Sequence, residues 1–142
     1  MGSLLIDGLR LEAPQAWMFR SMGNMILARR DSGIGCLQIS QVYRHDLRGA
    51  ATPEACLSLA QKFVSRAGMS APFDATQIAD GGSMFGGFSY LIGKDFGRVW
   101  YRLAHEELVL GAYGCSREKQ QASEITECES IMMSAHYAES DA

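Results

Sequence analysis

The sequence predicts an α+β domain in which two main helices flank an antiparallel β-sheet as an α/β/α sandwich. Two stretches, one ahead of residue 44 and one from Phe85 to Ser116, alternate apolar and polar residues with the two-residue period of strands. Between and after them the apolar spacing lengthens to that of amphipathic helices. Connections inside the alternating stretches are short, which makes neighbouring strands antiparallel. Strands, helix, strands, helix in that order place the helices against such a sheet. Residues 1–142 are read as a single domain, because 142 residues close one hydrophobic core but are short for two.

The first element is a hairpin, Leu4-Leu5-Ile6 and Leu9-Arg10-Leu11 around Asp7-Gly8, since Asp-Gly is a favoured two-residue hairpin turn. Ala13-Pro14-Gln15-Ala16-Trp17 forms a corner. Asn24–Arg30, a turn at Asp31-Ser32-Gly33 and Ile34–Tyr43 make a second hairpin. Thr52-Pro53-Glu54 opens the first helix with a capping hydroxyl, a proline at the first helical position and an acid at the positive end of the dipole. Ala55, Cys56, Leu59, Ala60, Phe63, Val64 and Ala67 form its buried face, with Ser58, Gln61, Lys62 and Ser65 opposite, and Gly68 ends it. Three antiparallel strands follow: Phe85–Ile92, Arg98–His105 and Leu108–Cys115, with turns at Gly93–Gly97 and Glu106-Glu107. A second helix runs from Glu118 to Ser134 and buries Ile125, Cys128, Ile131, Met132 and Ala135.

Composition narrows the function classes. Hydrophobic residues at 47% and charged residues at 20% belong to a folded protein and not to a disordered one. A net charge of −3 supplies no basic field for nucleic acid or anionic lipid, so neither is expected as a partner; a mildly acidic surface suits a basic protein. Leu4-Leu5-Ile6 is too short an apolar run for a signal-peptide core or a membrane span, and a cytoplasmic location is expected. Ile6 stands where a myristoylation motif needs Ser or Thr. Cys36, Cys56, Cys115 and Cys128 form no C-x-x-C pair, and Cys56 and Cys128 fall on helix faces that read as core, so all four are expected as reduced thiols.

No catalytic, metal or cofactor site is expected. His45, His105 and His136 lack the spacing of a zinc site. Gly87–Lys94 looks superficially like a phosphate-binding loop. Its spacing is one residue too long, Asp95 replaces the magnesium-binding hydroxyl, and a strand follows where a helix should begin. A Cys/His pair or the carboxylates of Glu106 and Glu107 remain as a small-hydrolase alternative.

Asp80–Phe88 is the most unusual segment, with four glycines around Met84 and Phe85. It reads either as a bend or bulge that glycine permits, or as an exposed apolar knuckle that a partner covers. Antiparallel pairing brings the Glu106-Glu107 turn to the same end of the sheet. Asp80, Glu106 and Glu107 would then rim Ser83, Met84, Phe85 and Phe88, an acidic edge around an apolar centre. These seven residues are the expected partner-binding site.

Pro14-Gln15-Ala16-Trp17, Val99-Trp100-Tyr101, Leu108–Tyr113 and Glu129–Ser134 together resemble the PsbP/DcrB-like superfamily, also called the Mog/PsbP-like fold. The likeness is loose, covers most of the chain and is more specific for fold than for function. It implies a non-enzymatic protein-binding domain of the bacterial toxin-immunity or effector-chaperone type. The first would neutralise a basic toxin, such as a nuclease delivered by type VI secretion; the second would shield a secreted effector. Stoichiometry stays open between monomer and homodimer.

Overall fold

The computed structural model describes residues 2–42, 53–65, 68–80, 83–104 and 107–138. In chain order the elements are β1 (Gly2–Ile6), β2 (Leu9–Ala13), β3 (Trp17–Met22), β4 (Met25–Arg30), β5 (Cys36–Val42), α1 (Pro53–Val64), β6 (Phe73–Asp80), β7 (Ser83–Ile92), β8 (Asp95–Ala104), β9 (Glu107–Ser116), α2 (Ala122–Ser134) and β10 (His136–Tyr137). A seven-stranded sheet runs β3-β4-β5-β9-β8-β7-β6, and a three-stranded sheet runs β1-β2-β10. Every neighbouring pair is antiparallel.

The β1–β2 hairpin turns on Asp7 and Gly8 with φ of 51° and 81°, the two positive angles a type I′ turn needs. The β7–β8 hairpin is tighter than the spacing suggested. Ile92 pairs with Asp95, so the turn is Gly93-Lys94 alone, with Gly93 at φ 57°. Glu107 is the first residue of β9 and faces Ala104, so it belongs to the strand and not to the expected Glu106-Glu107 turn. Three strands were not foreseen: β3, β6 and the two-residue β10. β3 and β6 are the outer strands of the large sheet and are mostly exposed along their length, which erases the alternation that marks a half-buried strand.

The two-residue period of β7, β8 and β9 sorts their side chains onto two cores. On one face Met84, Phe88, Tyr90, Val99, Tyr101, Leu103, Leu108 and Leu110 meet Cys56, Ala60 and Val64 of α1. On the other, Phe85, Phe96, Trp100, Val109, Tyr113 and Cys115 meet Cys128, Ile131 and Met132 of α2 together with Leu9, Leu11 and Ala13 of β2. The layer holding α2 is therefore shared with a second sheet, and a mostly antiparallel β-structure with two helices describes the chain better than a plain α/β/α sandwich. Ser58, Gln61, Lys62 and Ser65 are exposed as expected, while Thr52 and Ala67 lie outside the described residues. The second helix starts later than Glu118: a single 3-10 turn at Arg117–Lys119 precedes α2.

Where the glycine run enters β7 it is neither a bend nor a knuckle, while Gly81 and Gly82 lie outside the described residues. Gly86 and Gly87 sit in the regular β7 ladder opposite Tyr101 and Trp100. A Cβ on Gly86 would collide with the Tyr101 ring, and one on Gly87 would meet the Val99 carbonyl oxygen at 2.7 Å. These glycines give close approach to aromatic rings on the next strand, not freedom of φ.

Candidate functional site

Burial revises the expected binding site. Met84, Phe85 and Phe88 are only 5%, 7% and 0% exposed, so they build the two cores and cannot offer an apolar knuckle to a partner. Ser83 is partly buried at the start of β7, paired with Asp80 at the end of β6. Glu107 does reach the same end of the sheet, as the topology requires, because Leu103 pairs with both Met84 and Leu108. It is partly buried there, and its Oε2 is covered without a hydrogen-bond partner among the described residues. Glu106 lies outside the described residues, as do His45 and His105. The apolar centre of the expected site is thus core and not exposed surface.

The groove that is present lies on the opposite side of Phe85 from α1, between the outer strand β6 and α2. Its volume is about 610 Å³. Phe73, Leu91, Phe96 and Ile125 supply apolar walls, while Arg98, Arg117, Asp74 and Glu129 supply charge. The groove exists because α2 lies over β8 and β9 and leaves the β6–β7 margin of this face uncovered.

Arg98 forms its floor and is 6% exposed. Its Nη1 donates to the Asp74 carbonyl oxygen at 3.0 Å and to Ser89 Oγ at 2.9 Å, and its Nη2 donates to Thr76 Oγ1 at 3.1 Å. The guanidinium carbon lies 5.8 Å from the centroid of the Trp100 ring, within cation–π range. Burial disfavours its charge, and Glu129 and Asp74 oppose that at longer range. Asp74 takes φ 52° at the irregularity of β6 between Phe73 and Thr76, which turns its carbonyl inward.

A second polar centre anchors α2. Glu124 is fully buried and accepts from the backbone N–H groups of Ile34 at 3.1 Å and Gly35 at 3.0 Å. Arg30 reaches Glu124 at 3.3 Å and Glu127 at 2.8 Å, and Trp17 Nε1 donates to Glu127 at 3.1 Å. Neither Arg98 nor Glu124 stood out in the sequence. An arginine inside an apolar strand, and a glutamate two residues inside a helix, were the available signals.

No group of three or more His, Cys, Asp or Glu with metal-holding geometry occurs among the described residues. The four cysteines are free, and burial pushes the thiols of Cys56, Cys115 and Cys128 up, away from the reactive thiolate. Ellman's reagent should therefore modify partly exposed Cys36 in the native protein and reach the other three only on unfolding. Fast labelling of all four would contradict this packing. The same shifts fix a sign for stability. The native state keeps protons that the unfolded chain releases above about pH 8.5, so this contribution is complete below that pH and lost as pH rises further. Urea midpoints should fall progressively between about pH 8.5 and 11.

No protein-family model and no curated protein matches the chain. Among solved structures it is similar to cyanobacterial PsbP (CyanoP) from Synechocystis sp. PCC 6803, at TM-score 0.64 and 12% identity over 96% of this chain and 91% of that one. The fold is PsbP- and Mog1p-like. The Saccharomyces cerevisiae Ran-binding protein Mog1p superposes over 99% of this chain and 96% of its own, at TM-score 0.65 and 9% identity. At such identities the likeness concerns the backbone and carries no site residue across.

Proposed function

We propose that this chain is a non-enzymatic protein-binding domain that docks a segment of its partner in the groove between β6 and α2. The observation that carries the proposal is apolar surface continuing beyond the groove. Ile78, two residues after Thr76 and so on the same face of β6, is 60% exposed, and Met133, one turn after Glu129 on α2, is 46% exposed. Exposed apolar side chains on the two elements that wall a cleft would extend its apolar lining into a docking surface. Mog1p, which shares the fold, is a Ran-binding protein, and that adds weight to a protein ligand. Free thiols suit a reducing compartment, so the cytoplasm is the proposed location, and no helix among the described residues is long and apolar enough to cross a membrane.

The test is a pull-down from native lysate with the wild type, Ile78→Asp/Met133→Asp and Glu107→Lys. Retention of a stoichiometric partner by Glu107→Lys and its loss from the double variant would support the groove. The reverse would move the site to the sheet end that holds Glu107. The narrower reading, immunity against a basic toxin, rests on the net charge of −3, which favours long-range steering of a basic partner. A calorimetric titration against the product of the adjacent gene tests it, and absence of any toxin-like neighbour would remove its support. A chaperone would instead bind isolated apolar helices of an effector.

A further inference from the structure

We infer that Arg98 receives a carboxylate from an extended, acidic segment of the partner that lies along β6, an inference that rests on the groove being the docking site. Arg98 is nine-tenths buried, yet every group it touches is neutral: a carbonyl, two hydroxyls and an indole ring. No carboxylate lies within ion-pair distance of it among the described residues, whereas Arg30 holds two. Burying a guanidinium is unfavourable unless charge and hydrogen bonds offset it. Neutral acceptors offset part of that cost, and an incoming carboxylate offsets more.

The geometry leaves the means to bind one. A guanidinium carries five N–H donors. Three are used, and Nε–H and the second Nη2–H meet no acceptor among the described residues. Two donors on adjacent nitrogens suit the two oxygens of a carboxylate. Two acids of the groove, Glu129 and Asp74, favour the Arg98 charge through space without pairing with it: Glu129 accepts from Trp100 Nε1 at 3.3 Å, and Asp74 presents its carbonyl oxygen to Arg98. Arg117, exposed on the groove wall, adds a second cation.

The occupant is extended because β6 is the last strand of its sheet and pairs only with β7 among the described residues. Its outward backbone groups can accept one more strand. In a strand laid there, alternate side chains fall on the groove face, so an acid meets Arg98 while its second neighbours meet Phe73 or Ile78.

Two capped heptapeptides test this, one alternating threonine with glutamate and one alternating threonine with glutamine, titrated into ¹⁵N-labelled protein. The glutamate peptide should shift the Arg98 Nε–H resonance together with the amides of Thr76 and Ile78, saturably and with at least tenfold higher affinity than the glutamine peptide. Arg98→Lys, which keeps the charge and loses the paired donors, should abolish that preference; the wild-type Nε–H shift stands as evidence even if this variant folds poorly. Equal shifts of the β6 amides by both peptides would leave the docking groove standing and overturn the carboxylate. Millimolar peptide that moves neither Arg98 nor β6 would overturn both.

Discussion

Replacing Glu124 by alanine should lower stability by about 3–5 kcal/mol, the cost of breaking a buried charged pair from one side. Both carboxylate oxygens are occupied: Oε1 by the Gly35 N–H, Oε2 by the Ile34 N–H and Arg30 Nη2. Alanine strands two backbone donors and removes one of the two carboxylates that hold Arg30. It also unpins the β4–β5 connection from α2, because these bonds join segments some 90 residues apart in the chain. Against a total of about 5–15 kcal/mol for a typical domain, this loss is large. Urea unfolding should show a lower midpoint at unchanged slope. Arg30→Ala should cost less, since Arg30 is partly exposed, and the double variant should lose less than the sum of the two single losses. A loss below about 1 kcal/mol for Glu124→Ala would mean that water or a neighbouring side chain replaces the carboxylate.

Gly87→Ala should cost about 1–3 kcal/mol although it adds one methyl group. The methyl would stand 2.7 Å from the Val99 carbonyl oxygen and 2.9 Å from Trp100 Cδ1. Val99 and Trp100 are fully buried and belong to a strand hydrogen-bonded on both sides, so neither can step aside without opening the β7–β8 ladder. Gly114→Ala is the matched control. It also lies in a strand, and a Cβ there would meet no atom within 4 Å. That substitution should be neutral or slightly stabilising, because alanine loses less backbone entropy than glycine on folding. Equal losses at both positions would show that strand glycines here are tolerated or penalised for backbone reasons, and that the aromatic contact is immaterial.

The Asp7-Gly8 turn, the buried faces of α1 and α2, the short connections of β7–β8–β9 and the reduced cysteines were all legible in the sequence. Each is written in local spacing or residue type: two positive φ angles need an Asp-Gly pair, and a helix face is a period of 3.6. The likeness to the PsbP/Mog1p fold was legible for the same reason, since it is carried by core and turn positions.

Only the tertiary structure decided the rest. β3 and β6 became strands because neighbours supply hydrogen bonds on one side, while their exposed side chains record no pattern. The glycines of β7 read as a bend or bulge until the rings of Trp100 and Tyr101 were laid against them. Met84, Phe85 and Phe88 read as a surface knuckle until two cores, one on each face of the same strand, claimed them. Arg98 and Glu124 were ordinary charges in the sequence, because what singles them out is where they are buried and which distant groups face them. Periodicity specifies which side of an element turns inward; it does not specify what waits there.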